Sequence, residues 1–188
     1  MPRPTNEAIR HFLVSAFMII GFCIIVLSGC TWHPDPRFRS SPYASEPALL
    51  PQQFRGEHYG AMDSLIVARF KEEIRLLWQA PYRWGGNSQQ GIDCSGLIVK
   101  IYRDAAEMNL PRTTRELFTI GTDIQSHPLQ FADLVFFGLK QHSEPDHVGL
   151  YVAHGYFVHA SVRAGVKLSK IFDPPYQTHF WGARRIFN

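Results

Sequence analysis

Gly91-Ile92-Asp93-Cys94-Ser95-Gly96 is where a polar loop gives way to a helix. Asp93 is a good N-cap, because its carboxylate can accept the free N–H groups of a first helical turn. Cys94 then falls in that turn. There the helix dipole favours a thiolate over a thiol, and backbone N–H groups can stabilise an oxyanion. Gly96 lets another element approach the helix closely. Taken alone the segment fits a nucleophile and, equally, a buried structural cysteine, since free cysteine is among the most buried residue types.

Downstream, Leu97, Ile98, Ile101 and Tyr102 share one face and extend a helix from Cys94 to about Glu107. Upstream, Met62, Leu65, Ile66, Phe70, Ile74, Leu77 and Trp78 recur at helical spacing. They predict an amphipathic helix over about 61–79, with its Met and aromatic members in the core. Pro81 stops it and Gly85-Gly86 forms a turn. A short helix over Thr113–Ile120 follows Pro111. Strand candidates then come in a run: Asp133–Phe137, His147–Val152, Tyr156–Ala160, Val166–Leu168 and Trp181–Phe187. Helices first and a strand meander after predict an α+β domain with an antiparallel sheet.

Two histidines begin to complete a site. His147 opens a strand after the polar loop 141–146, where it can point into a cleft, deprotonate Cys94 and later protonate a leaving amine. His159 follows 12 residues later. A turn near His154-Gly155 would bring both onto paired strands, where His159 could hold His147 in one tautomer. A lone histidine is more often structural or solvated. One Cys with two His also suits zinc, but a usual fourth ligand or catalytic Glu motif is missing. The remaining histidines carry no motif and are assigned to surface or core.

The rest of the chain bounds the reading. At 188 residues, 45% hydrophobic and 19% charged, it is one compact domain plus extensions. A net charge of +3 without a Lys/Arg-rich run does not argue for nucleic acid. The three cysteines, Cys23, Cys30 and Cys94, exclude a disulfide-rich scaffold, and without a Cys-x-x-Cys pair they exclude a zinc ribbon or thioredoxin-type site. Arg3 and Arg10 precede an uncharged, mostly apolar run from Phe12 to Gly29 that ends in Leu27-Ser28-Gly29-Cys30. A basic start, an apolar core and small residues before a cut site make a secretory signal over 1–29. An uncleaved membrane helix is the alternative, and both readings export the rest. Residues 31–57 hold Pro34, Pro36, Pro42, Pro47 and Pro51 among serines, and read as a tether. About 27 such residues span roughly 30 Å as a flexible coil. The folded domain is expected over 58–188.

Two resemblances sharpen this. The end of the apolar run resembles the lipobox of bacterial lipoproteins, which implies that Cys30 is lipidated and becomes the first residue of a membrane-anchored protein. Thr31, which is not aspartate, implies the outer membrane of a Gram-negative cell, facing the periplasm. Further on, Pro81-Tyr82-Arg83-Trp84-Gly85-Gly86, Asp93-Cys94-Ser95-Gly96, Leu110-Pro111-Arg112, Asp133-Leu134-Val135-Phe136-Phe137, His147-Val148-Gly149-Leu150-Tyr151 and Phe157-Val158-His159-Ala160-Ser161 occur in order. Together they resemble the NlpC family of cell-wall cysteine peptidases over about 75–187. The resemblance implies a papain-like fold, with a nucleophile helix packed on a five- to six-stranded antiparallel sheet. It implies Cys94 as nucleophile, His147 as general base and His159 as its orienting group. Tyr82 is implied near the oxyanion or substrate amine, and Ser95 in the substrate groove. Ala132 stands where the family usually has glycine, so a turn with φ > 0 there would strain it by about 1 kcal/mol. The implied substrates are peptidoglycan stem peptides, cut next to meso-diaminopimelate. No cofactor or metal is called for, and an adaptor or regulatory protease is a further partner to look for. Acyl transfer on the same fold, and a non-catalytic lipoprotein that binds peptidoglycan or recruits a hydrolase, are the other readings.

Overall fold

The computed structural model describes residues 62–124, 127–139 and 144–187. The expected signal segment, Cys30 and the tether lie outside the described residues.

Helix α1 is Ser64–Leu76, capped by Asp63, whose carboxylate accepts the Leu65 N–H at 2.7 Å. It is shorter than the expected 61–79. Its end is set by the sheet and not by Pro81: Gln79 donates to Val166 O at 3.0 Å, and Val166 donates to Ala80 O at 2.9 Å. Gln79 and Ala80 thus give their backbone groups to a strand and cannot continue the helix. Phe70, Ile74 and Leu77 are buried as the spacing requires, and Trp78 and Met62 pack against the core half-buried. Leu65 departs from the predicted stripe and is 59% exposed, while Val67 is buried.

A small hairpin, β1 (Asn87–Ser88) and β2 (Gly91–Ile92), was not marked in the sequence and leads directly into helix α2, Cys94–Ala106. Leu97, Ile98, Ile101 and Tyr102 are fully buried on one face of α2, and Glu107 closes the helix in the left-handed conformation, φ 57°. The third helix, α3 (Thr114–Leu117), is one turn held by a Thr113/Glu116 capping box.

The remainder forms one sheet. Its strands are β3 (Thr122–Asp123), β4 (Leu134–Phe137), β5 (His147–Ala153), β6 (Tyr156–Ser161), β7 (Gly165–Lys170) and β8 (Phe180–Arg185), with a one-turn helix α4 (Tyr176–His179) before β8. The spatial order is β3-β8-β4-β5-β6-β7, antiparallel throughout. The α+β expectation and the strand meander are met, and β3 and α4 are additions.

The sheet separates two apolar layers. Leu134, Phe136, Val148, Leu150 and Val158 face α1 and α2 in the main core. Val135, Phe137, Tyr151, Phe157 and Ala183 point the other way into a smaller aromatic cluster. Ala132 adopts φ 70°, so the turn before β4 does impose the left-handed backbone that glycine would accept more easily. A buried hydrogen bond from the Tyr102 hydroxyl to the Ala132 carbonyl, 2.5 Å, pins that turn to α2.

Candidate active site

Asp93 builds the nucleophile's setting. Its carboxylate accepts the Gly96 N–H of the first turn of α2 at 2.7 Å, the expected cap, and the Gly85 N–H at 2.7 Å. Arg112 locks this arrangement. Its guanidinium donates to both Asp93 oxygens at 2.9 Å, to Ser95 Oγ at 2.8 Å and to Gly86 O at 3.0 Å. The turn at 83–86, the start of α2 and the segment before α3 are thereby tied at one carboxylate. Gly96 is needed for this approach, because a Cβ there would lie 2.3 Å from the Gly86 carbonyl oxygen.

Cys94 is 7% exposed, with its sulfur 3.7 Å from Thr114 Oγ1. Burial pushes the thiol up, although the Thr114 hydroxyl and the backbone N–H groups of Val148 and Ser95 favour the thiolate. The helix dipole, expected to favour the thiolate, works against this desolvation. Desolvation in the packed first turn outweighs the donors around the sulfur, so a base must take the proton.

Candidate bases lie on the β5–β6 hairpin. His154 (φ 49°) and Gly155 (φ 81°) make its two-residue turn with the left-handed backbone that a tight hairpin requires. The register Leu150↔Val158 and Tyr151↔Phe157 places His147 and His159 on one face of the sheet. Both are buried, at 8% and 1% exposure, and His147 Nε2 lies 2.8 Å from His159 Nδ1. With Nε2 so engaged, a proton exchanged with a neighbouring thiol would pass through Nδ1. His159 Nε2 in turn meets Ser169 Oγ at 3.0 Å and the Tyr176 hydroxyl at 3.2 Å. Burial, then His147 and Lys167, hold His159 well below the ordinary histidine range, which keeps it neutral.

Tyr82, Cys94, His147 and His159 line one cleft of about 170 Å³. Burial, then Cys94 and Asp93, push the Tyr82 hydroxyl up, so it stays an O–H donor beside the sulfur. The Ser95 side chain, expected in the groove, is elsewhere. It is 6% exposed and engaged by Arg112 and Asp93, which leaves only its backbone N–H directed at the Cys94 sulfur. The cleft also has Trp84, 79% exposed, with Asp146 and Arg163 on its walls. Neither Trp84 nor Arg163, nor Thr114, Ser169 or Tyr176, was singled out for a role by sequence reasoning. Trp84 and Arg112 at least lie inside quoted motifs, whereas the others carry no local signal.

A sequence model of the NlpC/P60 family matches residues 79–185, which spans all four cleft residues and the Asp93–Arg112 node. The chain belongs to the NlpC/P60 family. Its α+β architecture, with Cys94 opening a helix against a six-stranded antiparallel sheet, is that family's fold. It is 34% identical to "Probable endopeptidase NlpC" of Escherichia coli K12 over 173 residues, covering 90% of this chain and 99% of the relative. It is 39% identical to "Murein DD-endopeptidase MepH" of the same organism over 111 residues, covering 56% of this chain and 41% of that protein. Among solved structures, a Staphylococcus aureus protein described as similar to lipoprotein, NLP/P60 family, aligns with a TM-score of 0.61 at 27% identity. That alignment covers 71% of this chain and 45% of the solved one, so this NlpC/P60 chain spans under half of that molecule.

Proposed function

We propose that this protein is a peptidoglycan endopeptidase that hydrolyses amide bonds of murein stem peptides or their crosslinks through a thioester on Cys94. The observation that carries the reading is a buried thiol and a hydrogen-bonded histidine pair lining the same cleft. The names of the relatives support the class: an endopeptidase in one case and a murein DD-endopeptidase in the other. The second name makes the D,D-crosslink the first bond to examine.

His147 Nδ1 takes the proton from Cys94 Sγ. The thiolate attacks the scissile carbonyl carbon, and the carbonyl electron pair moves to oxygen, where the Tyr82 hydroxyl and N–H groups at the start of α2 stabilise it. Collapse of the tetrahedral oxyanion breaks the C–N bond, and the imidazolium N–H protonates the departing amine. Water, deprotonated by His147, then cleaves the thioester and regenerates the thiol. A protein that only gripped peptidoglycan would have no use for this set.

The anchor belongs to the same proposal. Leu27-Ser28-Gly29-Cys30 supports export, cleavage and lipidation at Cys30, with the proline-rich stretch letting the domain reach the wall from the outer membrane. Among the described residues no helix is long and apolar enough to cross a membrane. Labelling with a palmitate analogue should depend on Cys30, and equal labelling of Cys30→Ala would remove the anchor from the proposal.

The deciding experiment treats purified sacculi with the wild-type protein and with Cys94→Ala, and reads products by mass spectrometry. Stem-peptide fragments from the wild type alone are expected, with masses that name the bond. Undiminished hydrolysis by Cys94→Ala would overturn the mechanism, and transfer of the acyl group to another amine would replace hydrolysis by acyl transfer.

A further inference from the structure

The hydrogen bonds of His159 continue past the residues that carry the reaction. Its Nδ1 meets His147 Nε2 at 2.8 Å, and its Nε2 meets Ser169 Oγ at 3.0 Å and the Tyr176 hydroxyl at 3.2 Å. Both hydroxyls therefore approach the same imidazole nitrogen. Ser169 comes from β7 and Tyr176 from the start of α4, so three elements meet at one imidazole.

A neutral imidazole carries a single proton, so the two ends of His159 are not independent. With the proton on Nε2, His159 donates to the hydroxyls and its Nδ1 lone pair accepts from His147 Nε2–H. His147 Nδ1 then carries a lone pair and is basic. With the proton on Nδ1, His159 donates to His147 Nε2. The proton of His147 is then on Nδ1, which cannot accept one from the thiol. The behaviour of the hydroxyls at the far end thus decides whether the base is armed.

We propose that Ser169 and Tyr176 are positioning residues that hold His159 as its Nε2–H tautomer and so keep the lone pair of His147 on Nδ1. This rests on the Cys94–His147 reading of the site. Each hydroxyl oxygen has two lone pairs, so Ser169 Oγ at 3.0 Å and the Tyr176 oxygen at 3.2 Å can both accept from His159 Nε2–H. Burial pushes the Tyr176 hydroxyl up, so it meets His159 as a neutral hydroxyl and not as a charged tyrosinate. The charged or titratable groups around His159 are His147 from β5, Lys167 from β7 and Tyr176 from α4, with Cys94, Asp146 and Arg163 on the cleft walls. The Lys167 charge and burial both oppose an imidazolium at His159. One proton therefore moves from Cys94 Sγ to His147 Nδ1 and on to the leaving amine, while His159, Ser169 and Tyr176 neither gain nor lose one.

The test uses the full chain with Ser169→Ala, Ser169→Thr, Tyr176→Phe and the Ser169→Ala/Tyr176→Phe double variant. Nitrogen-15 NMR of labelled histidine reads the tautomers directly and does not require turnover. The wild type should show His159 protonated at Nε2, and the double variant should populate the other tautomer. On crosslinked muropeptides, Ser169→Ala should lower kcat roughly 10- to 100-fold with little change in KM, short of the ~10⁴-fold loss that a wrong tautomer causes in a Ser-His-Asp triad. Alkylation of Cys94 by iodoacetamide near neutral pH should slow in parallel, and Ser169→Thr should restore both. His159 protonated at Nδ1 in the wild type would overturn the proposal, as would a double variant with wild-type tautomers, kcat and pH profile. Hydrolysis that survives Cys94→Ala would instead strike the reading of the site, and the spectra would still decide the tautomer.

Discussion

His159 is a histidine that the fold accepts only without charge. Burial comes first, and then His147 and Lys167, in disfavouring its imidazolium. In the unfolded chain it titrates near the ordinary value of 6.5, so below that pH the unfolded state binds the extra proton. The stability tied to neutral His159 is whole above about pH 6.5 and is lost as the pH falls toward the depressed folded value. The melting temperature should therefore decline on acidification from pH 7 to pH 5, and His159→Gln should flatten that decline. An unchanged slope in the variant would show that other groups carry it. That Cys94, His147 and His159 meet at one cleft was readable because each sits in a short motif with a turn or cap beside it. Thr114, Ser169 and Tyr176 were not, because their meaning arises only when distant segments meet at the thiol and the imidazole. Ser95 misled for the opposite reason. It adjoins Cys94, which lines the cleft, but diverging directions within one helical turn send its hydroxyl to Arg112.

At the scale of elements, the start of α2 is held more by a tertiary clamp than by its own cap. Arg112 makes four hydrogen bonds that join the 83–86 turn, Asp93 and Ser95. Removing it leaves a nearly buried carboxylate with its two backbone donors and no counter-charge. Arg112→Ala should cost about 2–3 kcal/mol in chemical denaturation, less than a fully enclosed pair because the guanidinium is partly exposed. Arg112→Lys should recover less than half, since an ammonium cannot span both oxygens and the Gly86 carbonyl together. A loss below 0.5 kcal/mol for the alanine variant would mean that the clamp is incidental. The type of every long element could be read from periodicity, but their ends could not. α1 stops early because Gln79 and Ala80 pair with Val166, a partner far along the chain. The hairpin β1–β2, strand β3 and helix α4 are too short for a periodic signal.

Across the whole molecule, the sheet divides the site between unequal layers. Among the described residues, Cys94 belongs to a main core of 24 buried residues, while the histidine pair faces a cluster of 7. His159 packs against that cluster, tilted 4.9 Å from the Phe157 ring and edge-on 5.3 Å from the Tyr176 ring. The thinner layer has less buried apolar area to resist opening, so it should loosen first. On heating, loss of hydrolysis should precede loss of far-UV helical signal by several degrees, with amides of β7 and α4 exchanging before those of α2. Coincident curves and uniform exchange would show one cooperative unit. The division also settles how such an enzyme fails. Under the proposed mechanism, when the outer layer gives way Cys94 remains seated in its helix but has lost the base that would ionise it. A damaged molecule on the envelope then becomes a dormant thiol and not an unrestrained cutter of the wall that keeps the cell from bursting.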